Sequence, residues 1–156
     1  MGPQETFLRK YAAAAVAAGR RFKMSALVIL AQAAHESAWG TSYGARTRNN
    51  FFGITAAGSP NEFWKGRKSQ SSVSGLWFRI YDTPEHGFDD FASLISRKYP
   101  GPFSLSYQPG QYAKAIAASP YISETNGDNR PAYARAVASN AASLSALASR
   151  LGISLI

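Results

Sequence analysis

The strongest constraint on the fold is a change of periodicity along the chain. Apolar residues recur at three- and four-residue steps towards both ends, and the middle lacks that step. Between residues 41 and 82, Gly, Ser, Thr and Asn dominate. Short aromatic runs interrupt them: Phe51-Phe52, Phe63-Trp64 and Leu76-Trp77-Phe78-Arg79-Ile80-Tyr81. The outer pattern builds amphipathic helices, whereas the middle can supply only loops and two or three short strands. Helices, then a small strand-and-loop lobe, then helices predict an α+β fold, mostly helical, with one small sheet. The 156 residues suit one domain on a prior of roughly 100–200 residues. A single domain over 1–156 is therefore expected, with a small β-lobe at about 41–82.

Local signals place the helices. Glu5 to Gly19 reads as the first, with Phe7, Tyr11, Ala14, Ala15 and Ala18 on one stripe and Gly19 as its end. Ser25 is an N-cap for a second, Ala26 to about Ala38, with Gly40 as its stop. This helix is apolar on more than one side, which predicts a central position. Thr83-Pro84-Glu85 reads as an N-cap followed by proline at the first helical position, with Phe88, Phe91, Ala92 and Ile95 as the apolar face. Pro100, Pro102, Pro109 and Gly110 punctuate a loop before a short helix, Gln111 to Ala118. Pro131 opens a final helix running to Leu151, closed by Gly152.

Composition narrows the chemistry. Cysteine is absent, which excludes a disulfide scaffold, a Cys-ligated metal and a cysteine nucleophile. No apolar run reaches the roughly 18 residues of a membrane span, so no membrane insertion is expected. Met1–Lys10 carries Glu5 and no apolar core, so it is not a signal peptide. Lysine and arginine number 17 against 9 acids, a net charge of +8. Charged residues make up only 17%, against roughly 25% in an average domain, so the excess comes from scarce acids. A basic chain suits nucleic acid, a membrane surface or an acidic polymer such as cell wall; the bland alternative is solubility alone. Nucleic acid is disfavoured, because no RNP-like motif is present and the basic clusters Arg20-Arg21-Phe22-Lys23 and Lys65-Gly66-Arg67-Lys68 are short.

Scarce acids can be enumerated. Glu5 and Glu85 sit in first helical turns, Asp89 and Asp90 on a helix face, and Glu62, Asp82, Glu124 and Asp128 in or beside turns. Glu36 differs. It lies near the C-terminal end of an apolar helix, where the dipole and the apolar neighbours both disfavour its charge, and Trp39 follows at i+3. That environment raises a carboxyl pKa, as a general acid at neutral pH requires. Lysozyme follows the same logic, with a glutamate held against a tryptophan. The alternative is a solvated glutamate near a helix end. His35-Glu36 would open a zinc motif only with a second histidine at position 39, which is Trp39. No metal and no cofactor are expected. The aromatics Trp39, Phe52, Trp64, Trp77, Tyr81, Tyr121 and Tyr133 read as core or as platforms for sugar rings beside Asn, Ser and Thr.

Four segments carry a resemblance. Ala31-Gln32-Ala33-Ala34-His35-Glu36-Ser37-Ala38-Trp39-Gly40, Asn49-Asn50-Phe51-Phe52-Gly53-Ile54, Trp64-Lys65-Gly66 and Phe78-Arg79-Ile80-Tyr81 resemble glycoside hydrolase family 73. Tyr112-Ala113-Lys114-Ala115, Tyr121 and Tyr133-Ala134 are similar to that family's closing stretch. The family comprises peptidoglycan N-acetylglucosaminidases, including autolysins and the C-terminal domain of a flagellar hydrolase. The resemblance implies a lysozyme-like fold, with an α-lobe and a small β-lobe flanking a cleft. It implies cleavage of β-1,4 bonds after N-acetylglucosamine, with Glu36 as general acid and Tyr121 opposite. It also implies that Asn50, Phe52 and Tyr133 lie near the substrate; Trp39 and Tyr81, from the aromatic reading above, are the further candidates for substrate binding.

One departure stands out. Relatives often carry an acid in a hairpin between the Trp-Lys-Gly and Phe-Arg segments, and here residues 67–77 contain none. Glu62 and Glu124 are the candidates for a second carboxylate; otherwise the substrate's own N-acetyl group is the nucleophile. Rival readings are a muramidase or lytic transglycosylase on the same polymer, and a non-catalytic peptidoglycan-binding domain. A cell-wall substrate places the action in the periplasm or wall. Without a signal peptide, that implies a specialised export, injection or lysis route, or an excised domain. An injected toxin would require a cognate inhibitor or immunity protein as partner.

Overall fold

The computed structural model describes residues 1–123 and 129–156. The fold is mostly helical with one two-stranded sheet. Helix α1 spans Pro3–Phe22 and α2 spans Ala26–Ser37. Gly19 does not end α1, contrary to the sequence expectation. A Cβ there would stand 2.6 Å from the Met24 carbonyl oxygen, so the glycine lets the chain fold back tightly into α2, and left-handed Lys23 caps the helix instead. Ser25 caps α2 as expected, its Oγ accepting from the Val28 amide at 3.4 Å. Val28, Ile29, Leu30, Ala31 and Ala33 are fully buried, because α2 is packed between α1 and the last helix, α7 (Arg130–Leu151).

Among the described residues, four further helices belong to the fold. Short α3, Tyr43–Arg48, follows α2, with Ser42 Oγ accepting from the Ala45 amide at 3.2 Å. Helix α4, Pro84–Lys98, begins at the Thr83 cap and buries Phe88, Phe91, Ala92 and Ile95 completely; each such large apolar side chain contributes roughly 1.5–3 kcal/mol. Helices α5, Pro100–Ser104, and α6, Pro109–Ala118, lead towards α7. Neither α3 nor α5 was expected. Both are too short to display an apolar period, and their first turns are set by a serine cap or by proline.

The sheet is a hairpin of β1, Lys68–Gln70, and β2, Trp77–Arg79, in register Lys68↔Arg79, Ser69↔Phe78, Gln70↔Trp77. Its second strand is shorter than the 76–81 run suggested: the Ile80 amide still donates to the Arg67 carbonyl at 2.9 Å, but the Tyr81 amide turns to the Arg48 carbonyl at 2.9 Å and the Tyr81 ring is buried. Thr55 adds an isolated bridge to Phe78. The hairpin is fastened to α4 through one carboxylate. Asp90 accepts from Tyr81 Oη, from Arg79 Nη1 at 2.8 Å and from Asn61 Nδ2 at 2.9 Å. The Arg79 guanidinium also lies 4.1 Å from the Trp64 ring centre.

Candidate active site

The way α2 ends shapes the site. Ser37 Oγ donates to the Ala33 carbonyl at 2.6 Å and accepts from the Gly40 amide at 2.8 Å. This buried hydroxyl holds Ala38, Trp39 and Gly40 in left-handed backbone, at φ 50°, 58° and 79°. Glycine is favoured at 40, since a Cβ would crowd the Tyr11 and Phe7 rings at 3.2 and 3.3 Å on a left-handed backbone. Left-handed Ala38 and Trp39 each cost roughly 1–2 kcal/mol. That cost is offset by the Ser37 bonds and by the ring of Trp39, edge-on to Phe7 at 5.6 Å.

Two sequence expectations fail here. The helix is over before residue 39, so Trp39 does not share a helical face with Glu36; it turns back onto α1 and does not line the cleft. Glu36 itself is exposed rather than desolvated by its neighbours. Any exclusion of water must come from whatever fills the cleft.

Glu36 stands where two cavities meet. A cleft of about 840 Å³ runs between the lobes, with Glu36, Phe52, Glu62, Arg79, Tyr121 and Tyr133 among its lining residues. A smaller pocket of about 170 Å³ shares Glu36, Gly53 and Phe78 with it. Tyr121 is half-buried and edge-on to Phe91 and Tyr99, at 6.3 and 5.5 Å. Tyr133 is edge-on to His35 at 4.8 Å. Burial pushes both phenols well above their ordinary pKa, and the negative charge of Glu36 adds to the effect. Both therefore stay neutral and can donate beside Glu36. The Tyr133 hydroxyl and Gln32 Nε2 are both buried and make no hydrogen bond of ordinary geometry among the described residues, though the Gln32 side chain is close enough to lower the phenol's pKa against the larger effect of burial.

Asn50 lines the smaller pocket and Phe52 the cleft, and both are also structural. Asn50 Nδ2 donates to the Ile54 and Arg79 carbonyls at 2.9 and 3.1 Å, and its Oδ1 accepts from the Ile54 amide at 3.1 Å. The buried amide thus shapes the loop that carries Phe52 and Gly53 to the cleft. Phe52 stacks on Phe91 at 3.8 Å, 4° from parallel. Tyr81 does not reach the cleft. It is 1% exposed, its hydroxyl is taken by Asp90, and desolvation there raises its pKa. The expectation that it serves as a sugar platform fails because an aromatic ending a strand looks the same in sequence whether it faces the cleft or the core.

Three carboxylates of the described residues line the main cleft: Glu36, Glu62 and Asp90. Asp90 is committed to its three donors. Glu62 is exposed and lies 3.8 Å from Arg21 Nη1. Glu124 lies outside the described residues. Among the described residues no group of three or more His, Cys, Asp and Glu side chains could hold a metal ion, and no helix is long and apolar enough to cross a membrane. Arg48, on the wall of the smaller pocket, and Ser37 do not stand out in the sequence. The signal for Ser37 is its place four residues after Ala33 and just before Ala38-Trp39-Gly40; Arg48 carries none beyond its charge.

A helical lobe and a hairpin enclosing a cleft, lined by two exposed glutamates, Glu36 and Glu62, and two neutral phenols, define a glycoside hydrolase of lysozyme-like architecture. The chain belongs to the glucosaminidase family, described as mannosyl-glycoprotein endo-β-N-acetylglucosaminidase, whose model matches residues 12–146. It is similar to the glycoside hydrolase domain of Salmonella typhimurium FlgJ, at 25% identity, covering 97% of this chain and 94% of that one with a TM-score of 0.69. A peptidoglycan hydrolase from Sphingomonas sp. A1 is 26% identical, with 87% and 86% covered and a TM-score of 0.64. A protein from a type VI secretion system effector–immunity complex of Pseudomonas protegens shares the fold at 24% identity, with 92% of each chain covered and a TM-score of 0.70. No curated protein sequence matches at a significant level.

Proposed function

We propose that this chain hydrolyses β-1,4 glycosidic bonds in bacterial peptidoglycan, cutting after N-acetylglucosamine, with Glu36 as general acid. The carrying observation is the position of Glu36 at the junction of the two cavities, beside Tyr121 and Tyr133. A glycan strand laid along the cleft covers the exposed carboxyl. Loss of water then favours its protonated form, and the proton passes to the bridging oxygen as the C1–O bond breaks. The neutral phenols donate hydrogen bonds to oxygens that gain charge in that step. Glu62 is engaged with Arg21, and Asp90 with its donors. We therefore favour the substrate's N-acetyl oxygen as the nucleophile at C1, followed by water.

The family and the FlgJ and Sphingomonas relatives support the polymer as substrate. Such a substrate puts the protein to work in the periplasm or cell wall. The effector–immunity relative supports the further reading that a cognate inhibitor closes the cleft. Mass spectrometry of digested sacculi tests the activity: new reducing-end N-acetylglucosamine agrees with it, whereas reducing-end or anhydro-muramic products assign a muramidase or transglycosylase. Sacculus binding without any turnover would leave only a peptidoglycan-binding domain.

A further inference from the structure

The smaller pocket beside Glu36 has no task in the reaction above. Its wall holds a buried cation. Arg48 is 7% exposed, and its Nε donates to Ser69 Oγ at 2.6 Å. Its guanidinium lies 5.2 Å from the ring centres of both Tyr43 and Phe78. No carboxylate of the described residues pairs with it, and its terminal nitrogens Nη1 and Nη2 make no hydrogen bond to a described residue. A buried guanidinium without an acid is unusual, because its desolvation is normally offset by a carboxylate or by carbonyls.

The pocket is kept open beside this cation. Gly44 is one of its lining residues, and a Cβ there would stand 3.5 Å from Arg48 Nη1. A side chain at 44 would therefore cover the nitrogen. Two rings hold the guanidinium, Ser69 fixes one edge, and the other edge has N–H groups to spare. That geometry suits a carboxylate, which a guanidinium grips with two parallel hydrogen bonds. At about 170 Å³ the pocket is a fraction of the 840 Å³ cleft, which suits a substituent and not a stretch of glycan. Because Glu36 belongs to both cavities, a group seated here hangs from a sugar next to the bond being cut.

Resting on the function proposed above, we infer that Arg48 binds a carboxylate carried by the muramic sugar beside Glu36. N-acetylglucosamine has no acidic substituent, whereas the muramic sugar bears a lactyl ether that ends in a carboxylate or continues into an acidic peptide stem. Arg48 thereby sets which of the two alternating linkages lies over Glu36.

The test is steady-state cleavage of three glycan preparations: strands with peptide stems, strands stripped of stems and so bearing free lactyl carboxylates, and stripped strands with those carboxylates blocked as methylamides. Wild type is expected to lose at least about tenfold in kcat/KM on the blocked strands against its preferred carboxylate-bearing strand, the size of one charged hydrogen bond. Preference for stem-bearing strands identifies a stem carboxylate; preference for stripped strands identifies the lactyl group. Arg48→Gln should abolish the preference. Gly44→Ala, whose added methyl makes only ordinary contacts of 3.4 and 3.5 Å, should weaken it while the melting temperature holds, and this variant decides the matter if Arg48→Gln does not fold. Equal cutting of all three strands by wild type, or an equal loss on all three in Arg48→Gln, overturns the inference and leaves glycan hydrolysis standing. Failure of wild type to cut any strand overturns the proposed function and this inference with it.

Discussion

Arg79 Nη1 lies 2.8 Å from Asp90 Oδ2, and this buried ion pair ties the hairpin to α4 across the base of the cleft. The Asp90 side chain is 2% exposed and that of Arg79 13%, so the carboxylate in particular has little water to replace its partner. Removing one partner of a buried pair costs about 3–5 kcal/mol, because the other is left uncompensated. Asp90→Asn should therefore lower the melting temperature by roughly 10 °C. Hydrogen exchange should quicken first in residues 68–79. An unchanged melting temperature would show that the lobe is held elsewhere.

Tyr133 separates function from stability. Its hydroxyl is buried and makes no hydrogen bond of ordinary geometry among the described residues, so Tyr133→Phe removes an unsatisfied group and should leave stability equal or higher. If the phenol donates to the reacting sugar, the same change lowers kcat by about tenfold or more. Thermal melts and turnover of purified peptidoglycan, measured together, check both halves. A drop in stability with unchanged turnover would assign Tyr133 to the core alone.

Alkaline stability follows from four tyrosines. Tyr81, Tyr112, Tyr121 and Tyr133 all have folded-state pKa values above the ordinary 10, chiefly through burial. Below about pH 10 both folded and unfolded chains keep these phenols protonated, and stability is unaffected. Above it, the unfolded chain ionises and the folded chain does not, so stability falls as pH rises. Each fully buried tyrosine contributes a slope of about 1.4 kcal/mol per pH unit. Urea unfolding from pH 9 to 12 should show this decline, and Tyr112→Phe should make it shallower. At the acid end the sign reverses. Lys65 and Arg67 lower the pKa of Asp82 to about 2, so its exposed contribution is present above about pH 4 and is lost as pH falls towards 2.

Glu62 tests the route of the reaction. A carboxylate acting as general base contributes about 10²–10⁴-fold, whereas an exposed partner of Arg21 contributes little to anything. With the N-acetyl group as nucleophile, Glu62→Gln should keep its rate within about twofold of wild type. A loss of about a hundredfold would instead make Glu62 the base. Initial rates on glycan strands distinguish the two.

Much of the scaffold is legible in the sequence because it rests on local rules. Ser25, Thr83 and Gly152 sit at helix ends where their side chains or backbone freedom are needed, and the apolar stripe of α4 is buried as its period requires. Gly19 misleads because a glycine needed for close packing looks like a glycine that ends a helix. Trp39 and Tyr81 mislead for a related reason. Composition says that an aromatic will be covered, but only the tertiary fold says whether by protein or by ligand. The single glutamate of note is visible from the scarcity of acids around it. Arg48 is not, because a buried charge is indistinguishable in sequence from a solvated one.

Glu36 is the residue on which the proposed chemistry turns, and one measurement weighs on it most directly. Purified sacculi are digested with wild type and with Glu36→Gln, and the products are identified by mass spectrometry after reduction. Wild type should release fragments ending in reduced N-acetylglucosamine, and Glu36→Gln, folded with an unchanged melting temperature, should release none. The same fragments from the Glu36→Gln digest, at rates near wild type, would contradict the assignment.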